Sequence, residues 1–389
     1  MAIGENMHSN SALELIAFPL SDRKRVKRFL KMPWHIYREH YPSPNWVPPL
    51  LAAQLEFFDP AKNPFFEHAA CHCWLVCKDG IDVGRIVAVV DRNWENFTGS
   101  KTGQFGFFES INDREVAALL LETAIDWLRK QGVPEVIGPL NFSTNHQSGF
   151  LVDGFDSLPC IEMTYNPPYY DELVKACGFT KLRDLWQWEV ATVGAIPARM
   201  QKLSERLKKR GRFTIRHMNM KDWDAEVERL QEIYNDAWTD TWGFVPLNEQ
   251  ELQFLAANLK LVVQPELALI AELDGEPIAV SITIMDINPL LQKIDGRLFP
   301  TGLLRLIWGL KINNTVQSGR VIITGVKHSH QHSGIGSLMY IETRMAIEKL
   351  GWKYVNMGWT LEDNDDVNST ARSMDGRIVK TFRVYSREC

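Results

Sequence analysis

Apolar and polar positions along the chain follow a pattern that occurs twice. From Trp74, the segment WLVCKDGIDVGRIVAVVD runs apolar to Asp79-Gly80, then apolar and partly alternating until it stops at Asp91. Strand, tight turn and strand predict a β-hairpin with Asp-Gly at its turn. LIAELDGEPIAVSITIMD, from Leu269, repeats the pattern with Asp274-Gly275 at the turn and Asp286 at the stop.

The flanking segments repeat as well. YREHYPSPNWVPPLLAAQLEFF from Tyr37 and YNDAWTDTWGFVPLNEQELQFL from Tyr234 both read as helix, aromatic loop with Val-Pro, then helix. Downstream, EVAALLLETAIDWLRKQG closes on Gly132 and SLMYIETRMAIEKLG on Gly351, as a helix C-terminus prefers. A short apolar strand follows each, and then an Asn, at Asn145 and Asn364. Four landmarks in the same order predict a duplicated unit. Each copy runs strand, two helices, hairpin, strand, helix, strand, helix, strand, which implies an α/β fold with helices on both faces of a mixed sheet. The copies span 12–190 and 213–389, and 191–212 contains a basic connecting helix. The spacing between copies widens after Asp286, which locates an insertion in the second copy at about 287–320.

Composition narrows the class. Lys and Arg number 43 against 48 Asp and Glu, a net charge of −5, which argues against nucleic acid as a partner. A hydrophobic content of 45% with 13 Trp and 19 Phe suits large cores and excludes a disordered chain. The N-terminus has no basic and apolar secretory pattern, no apolar run reaches about 18 residues, and six unevenly placed cysteines make no disulfide framework. A cytoplasmic protein is expected. Cys71, Cys73 and Cys77 alternate along one strand face, as small buried hydrophobes do, so no metal is expected there despite His72 between them.

The chemistry concentrates in the second copy. Val321, Ile322 and Ile323 form a strand, and Gln331-His332-Ser333-Gly334-Ile335-Gly336 opens the next helix. Glycines at a helix start let several backbone N–H groups face one phosphate cluster. The chain has no P-loop run, and Met339 stands where a dinucleotide fingerprint needs its third glycine. The first copy has Asn112, Glu115 and Ala117 at the positions of Gln331, Gly334 and Gly336. A carboxylate there repels a pyrophosphate, so the first copy is expected to lack the site.

This Q-x-x-G-x-G loop, with Val326 five residues ahead of it, resembles the pyrophosphate loop of the GNAT superfamily of acyl-CoA-dependent N-acyltransferases. The resemblance implies tandem GNAT-like domains, mixed central sheets flanked by helices, with the first domain degenerate. It makes Val326, Gln331, Gly334, Ile335, Gly336 and Ser337, together with Asn364, the residues that hold acyl-CoA, either acetyl-CoA or a long-chain form, with no metal. It also implies that the thioester sits where two strands splay apart, near Gly358–Asn364. Glu362 and Asp363 are therefore candidates for general base or amine binding, and their first-copy equivalents are Ser143 and Thr144. A solvated turn or helix cap explains them equally. The chain departs from the family at the tyrosine that protonates the leaving thiolate. Arg372 stands in its place, which leaves Tyr385 as the nearest downstream candidate. His328 and His330, at the loop entrance, are candidates for proton shuttling or simply loop histidines.

The insertion, NPLLQKIDGRLFPTGLLRLIWGLKINN, is apolar with Lys293, Arg297, Arg305 and Lys311 interspersed. It suits a lid over a lipid chain, an interfacial helix, or a small helical subdomain packed on the first copy. The linker cations Arg199, Lys202, Arg206, Lys208, Lys209, Arg210 and Arg212 suit anionic lipid or plain solvation. Asn63-Pro64-Phe65-Phe66-Glu67-His68, Gly84-Arg85-Ile86, Gly106-Phe107-Phe108-Glu109, Asn166-Pro167-Pro168-Tyr169-Tyr170 and Leu361-Glu362-Asp363-Asn364 together resemble a family of bacterial tandem GNAT-like proteins that includes bacterial ceramide synthases. That resemblance implies transfer of an acyl group from acyl-CoA to a primary amine, either a small molecule or a lipid of the sphingoid type. Peripheral contact with the inner membrane surface follows from it. The alternative is a non-catalytic acyl-CoA-binding sensor or scaffold.

Overall fold

Both Asp-Gly turns form. Asp79 and Gly80 take φ values of +53° and +82°, and Asp274 and Gly275 take +53° and +89°. Two successive left-handed residues match the right-handed twist of the strands they join. The structure, a computed structural model, describes residues 12–209, 213–311 and 315–389. Arg210 and Arg212 lie outside the described residues, as do the side chains of Lys208 and Lys311.

In chain order the first half contains β1 (Leu13–Phe18), α1 (Arg23–His35), α2 (Leu51–Phe57), β2 (Ala69–Lys78), β3 (Ile81–Asp91), α3 (Arg92–Thr98), β4 (Thr102–Ser110), α4 (Arg114–Lys130), β5 (Glu135–Gly138), β6 (Phe150–Asp153), α5 (Tyr170–Ala176) and β7 (Thr180–Ala191). The connecting helix α6 (Ala198–Lys209) leads to β8 (Phe213–His217), α7 (Trp223–Ala237), α8 (Glu249–Leu259), β9 (Val263–Leu273), β10 (Glu276–Met285), α9 (Asn288–Lys293), α10 (Gly302–Lys311), β11 (Ser318–Val326), α11 (Ile335–Lys349), β12 (Tyr354–Leu361), α12 (Asp365–Ser373) and β13 (Arg377–Glu388). The order matches the duplicated unit. The first half adds β6 and, in the polar segment between β3 and β4, α3. Asp91 caps it by accepting from Asn93 N at 2.8 Å, and Gly99 closes it at φ +70°.

The strands join one mixed sheet in the order β1-β2-β3-β4-β5-β13-β7-β12-β11-β10-β9-β8, with β6 paired to β13. The β4–β5 and β11–β12 pairs are parallel, and the other pairs are antiparallel. The order is nearly palindromic, but the last strand of each half is exchanged. β13 lies against β5 of the first half, and β7 lies against β12 of the second.

Side-chain alternation along the central strands sorts the core into layers. On β3, Ile86 and Ala88 pack with Val116, Leu120 and Ala124 of α4, whereas Val87 and Val89 pack with Val26 and Phe29 of α1. On β10, Val280, Ile282 and Ile284 face Val227, Leu230 and Leu252 of α7 and α8. Ala279 of β10 faces the other way, toward Ile335, Leu338 and Met339 of α11 and Leu207 of α6. Cys71 is half-buried and Cys73 buried, and burial pushes the Cys71 thiol up to about 12. Among the described residues, no group of three or more His, Cys, Asp or Glu is positioned to hold a metal ion.

Candidate active site

The glycine loop lies between β11 and α11. Gln331 turns back on the chain and donates its amide to Ala237 O at 3.3 Å and Val326 O at 3.4 Å. His332 at φ +62° and Gly334 at φ +86° give the loop its sharp reversal. Ser333 Oγ donates to His330 O at 2.6 Å and accepts from Ile335 N at 3.3 Å. Ile335 and Leu338 are buried, so they fix α11 to the sheet, while Gly336 and Ser337 stay partly open. A Cβ on Gly336 would meet Val326 Cγ2 at 3.5 Å, ordinary contact, so Gly336 keeps space open above the helix end. His328 is held outside the loop by its ring contact of 2.9 Å to Asp240. That carboxylate raises its pKa from the ordinary value.

The strands flanking this loop separate. β11 and β12 pair from Ser318–Tyr354 to Val321–Met357, and the register ends there. Beyond it, Ile322, Ile323 and Thr324 on one side and Gly358, Trp359 and Thr360 on the other line a cavity of about 410 Å³. Buried Arg320 fixes the mouth of the gap. It donates from Nε to Gly358 O at 2.8 Å and from one terminal nitrogen to Ile161 O and Glu162 O at 3.0 and 2.7 Å. Parallel strands that lose register expose unpaired N–H and C=O groups to whatever occupies the gap.

The cavity runs from the gap under α7 and α8, where Leu230, Leu252, Leu255 and Leu259 line it. The first half supplies the opposite wall through Phe57, Asn145, His146 and Gln147. Asn145 ties that wall to the second half. It donates to Val245 O at 3.0 Å and accepts from Tyr234 Oη at 2.8 Å. His146 has Nδ1 3.1 Å from Ser143 Oγ, and burial lowers its pKa to about 4, so its ring is neutral at neutral pH. Tyr340, on α11, also lines the cavity, and burial pushes its hydroxyl up to about 12. The sequence reading missed both residues. His146 follows the repeated Asn145, and Tyr340 stands one helical turn after Gly336, so both had a positional signal. The back wall, α8, is held by His68, whose ring contacts Asp91 at 2.8 Å and Glu251 at 3.0 Å. Burial opposes the charged ring, but the two carboxylates prevail and lift its pKa to about 9.

The sequence-derived acids lie elsewhere. Glu362 accepts from Lys181 Nζ at 2.7 Å and from Asp184 N at 3.0 Å, and Asp363 pairs with Arg183. Neither lines the cavity, although Leu361 and Asn364 on either side do. Asn364 caps α12 by accepting from Val367 N at 3.2 Å. Tyr385 is not in the second half's site at all. Strand exchange carries it opposite Gly138 of β5, where it is fully buried beside Phe150 and donates to Asp171 Oδ1 at 2.5 Å. Arg372 lies over the Trp188 ring at 5.3 Å. Among the described residues, none of α9 or α10 lines the cavity, so these helices do not cover it here. The insertion packs on the first half, with Gln292 donating to Pro44 O and Asn288 to Pro159 O.

No family model matches the chain. The chain is 35% identical over 382 residues to the bacterial ceramide synthase of Caulobacter vibrioides (strain NA1000 / CB15N), covering 96% of this chain and 97% of that one. It is 33% identical over 373 residues to protein YghO of Escherichia coli (strain K12), covering 94% of each. Among solved structures, a tandem GNAT protein from the clavulanic acid biosynthesis pathway matches with a TM-score of 0.56 at 12% identity, over 97% of this chain and 98% of that one. A GCN5-related N-acetyltransferase from Sphaerobacter thermophilus matches with a TM-score of 0.50 at 12% identity, over 97% and 95%. At these identities the two structures speak to fold, and the fold is a tandem GNAT fold.

Proposed function

Because the chain belongs to the family of the Caulobacter bacterial ceramide synthase and YghO, we propose that it is an acyl-CoA-dependent N-acyltransferase, transferring a long acyl group to a lipid amine of the sphingoid type. One observation carries the reading. The strands beside the glycine loop open onto a large, mainly apolar cavity of about 410 Å³, whereas the matching place in the first half is bridged by Leu140 N to Phe105 O and leaves only a pocket of about 50 Å³ beyond it. The cavity's size is that of an ordinary ligand site, roughly 300–1,000 Å³.

On this reading, 12–190 is the degenerate unit, 191–212 the linker and 213–389 the coenzyme-binding unit. The amides of Gly334–Ser337 take the pyrophosphate, Val326 and Gln331 shape the loop, and the gap between β11 and β12 takes the thioester. Asn364 bounds the gap. The amine nitrogen adds to the thioester carbon, and the C–S bond then breaks. The surplus proton of the nitrogen passes to His146, and the thiolate takes a proton from Tyr340. A ring as weakly basic as His146 does not strip an alkylammonium. It accepts from the tetrahedral adduct, whose nitrogen is far more acidic. No step needs a metal or a nucleic acid, and a lipid acceptor would bring a cytoplasmic enzyme to the inner membrane surface.

Occupation of Glu362 and Asp363 by ion pairs is the observation that favours a second reading, a non-catalytic acyl-CoA sensor or scaffold. Release of CoA thiol from palmitoyl-CoA or acetyl-CoA, with and without sphinganine, separates the two. Amine-dependent release faster with palmitoyl-CoA is expected. Binding without amine-dependent release would overturn the transferase in favour of the sensor. His146→Asn is expected to lower kcat about 100-fold with KM nearly unchanged, the range for loss of a proton acceptor.

A further inference from the structure

α10 has its bulk on the wrong side for a helix packed on a core. Gly302, Leu306, Gly309 and Leu310 turn inward or lie half-buried, and a Cβ on Gly309 would come within 2.5 Å of Leu290 Cδ2. The glycines let the helix lie close against α9. The large apolar residues point out: Leu304 is 69% exposed, Trp308 58%, Ile307 44% and Leu303 39%, with Phe299 just before the helix at 78%. Among the described residues, the other exposed large hydrophobics are scattered along the chain, whereas these five fall within ten residues. An apolar cluster of this kind marks an interaction surface.

Charge identifies the partner. Residues 288–311 contain four cations, Lys293, Arg297, Arg305 and Lys311, and one acid, Asp295. Asp295 accepts from Trp34 Nε1 at 3.0 Å and from Arg38 at 2.6 Å, and Arg297 Nε lies a longer 3.8 Å from it, so Arg38 already balances its charge. Lys293, Arg297 and Arg305 are exposed beside the apolar residues. Aromatic and aliphatic side chains ringed by cations fit the boundary between headgroups and acyl chains of an anionic bilayer. With ten residues α10 is too short to cross a bilayer, and among the described residues no helix is long and apolar enough to do so. Its mounting is stiff, because Leu51 N donates to Gly296 O and Gln292 donates to the carbonyls of Pro44 and Trp46.

We propose that the α9–α10 insertion docks the protein on an anionic lipid bilayer, with Phe299, Leu304, Ile307 and Trp308 entering the interface and Lys293, Arg297 and Arg305 meeting phosphates. The docking rests on this patch alone. Its purpose, collecting a lipid amine, rests on the acyltransferase reading.

The full chain is sedimented with vesicles of phosphatidylcholine alone, and with vesicles containing about one-third phosphatidylglycerol. The wild type is expected to pellet with the anionic vesicles, more strongly at low salt. Leu304→Ser with Trp308→Ser should lower the bound fraction at least tenfold, and Arg297→Glu with Arg305→Glu should abolish the preference for anionic lipid. These side chains are exposed, so an unchanged thermal midpoint checks the fold. Wild type left in the supernatant with anionic vesicles, or a double-serine variant that binds like wild type, overturns the proposal. So does a wild-type dimer that the double-serine variant converts to monomer, because a second copy would then cover the face. CoA release measured with a water-soluble amine is independent of docking. Its absence with vesicle binding intact would count against the acyltransferase reading alone.

Discussion

Two places in the molecule share one position in the fold and differ in what fills them. At the start of α4, Asp113 caps the helix by accepting from Glu115 N at 2.9 Å and Val116 N at 3.4 Å. At the start of α11, Gly334 has no side chain to offer. The strands beside α4 part after Gln104 and Ile137, but Leu140 N donates to Phe105 O and Phe107 N to Asn141 Oδ1, which stitches the gap shut. Phe58, Phe107 and Phe142 pack there with ring centroids 4.7–4.8 Å apart. Beside α11 the same gap is open. The first half has a packed core where the second has an open gap, and it sends Phe57, Asn145 and His146 to wall the second half's cavity. Duplication thus leaves one unit with an open helix end beside a cavity and turns the other into that cavity's counterpart wall.

The largest expected effect comes from opening the closed gap. Phe142 is fully buried among five other phenylalanine rings, Phe57, Phe58, Phe65, Phe66 and Phe107. Phe142→Ala should cost about 3–5 kcal/mol in urea unfolding. It should create no second coenzyme site, because Asp113 still occupies the amides of α4. A loss below about 1 kcal/mol, or a second equivalent of bound CoA, would break the comparison.

Closing the open helix end comes next. Gly336→Glu places a carboxylate where the pyrophosphate is proposed to lie, and the Cβ has room. CoA affinity by calorimetry should fall about 100-fold or more, some 2.7 kcal/mol, with the thermal midpoint held. Undiminished binding would remove the loop from the site. Gly334→Glu, which imports the residue that the sequence repeat aligns there, is the poorer test. Gly334 is left-handed, and its Cβ would lie 3.2 Å from Leu207 Cδ1, so the fold would shift with the ligand.

The wall shared by the two halves should respond to pH. His68 has a folded pKa of about 9, above the ordinary value of about 6.5, so its contribution is complete below about pH 6.5 and lost as pH rises through 9. The effect is on the order of 3 kcal/mol, because each tenfold change in proton affinity is worth about 1.4 kcal/mol. Thermal midpoints of wild type and His68→Gln should differ most near pH 6 and converge toward pH 10. A constant difference would mean that the His68 bridge between Asp91 and Glu251 does not titrate as described.

Much of this architecture was legible in local sequence. The Asp-Gly turns, the glycine at the start of α11 and the extra helices after Asp286 all report short-range chemistry and appear where the repeat put them, but Glu115 does not: the cap position that Gly334 holds in α11 is held in α4 by Asp113, two residues earlier. The exchange of β7 and β13 was not legible, because either strand could complete either half without changing the order of elements along the chain. Tyr385 was misplaced for that reason alone. His146 was missed because its environment comes from Phe57 and Phe65, residues far away in sequence. The exposed face of α10 was half legible. Composition marked it apolar and basic, but only packing against Leu290 tells which side faces out.

The same exchange reassigns Glu362 and Asp363. They occur only in the second half, which in sequence looks like catalysis. In the fold, β12 ends beside β7, whose Lys181 and Arg183 need partners, while Ser143 and Thr144 bond within the first half's loop and to Gly243 O. The acids therefore clasp a borrowed strand. Glu362→Gln separates the roles, because the amide oxygen can still accept from Asp184 N while the charge facing Lys181 is gone. A partly exposed pair of this kind is worth about 0.2–1 kcal/mol, so stability should fall by less than about 1 kcal/mol and turnover should stay within about threefold of wild type. Loss of a general base would instead cost about 10²–10⁴ in rate. A fall of that size, with the thermal midpoint unchanged, would return Glu362 to the chemistry and make the ion pair with Lys181 a resting state that substrate displaces.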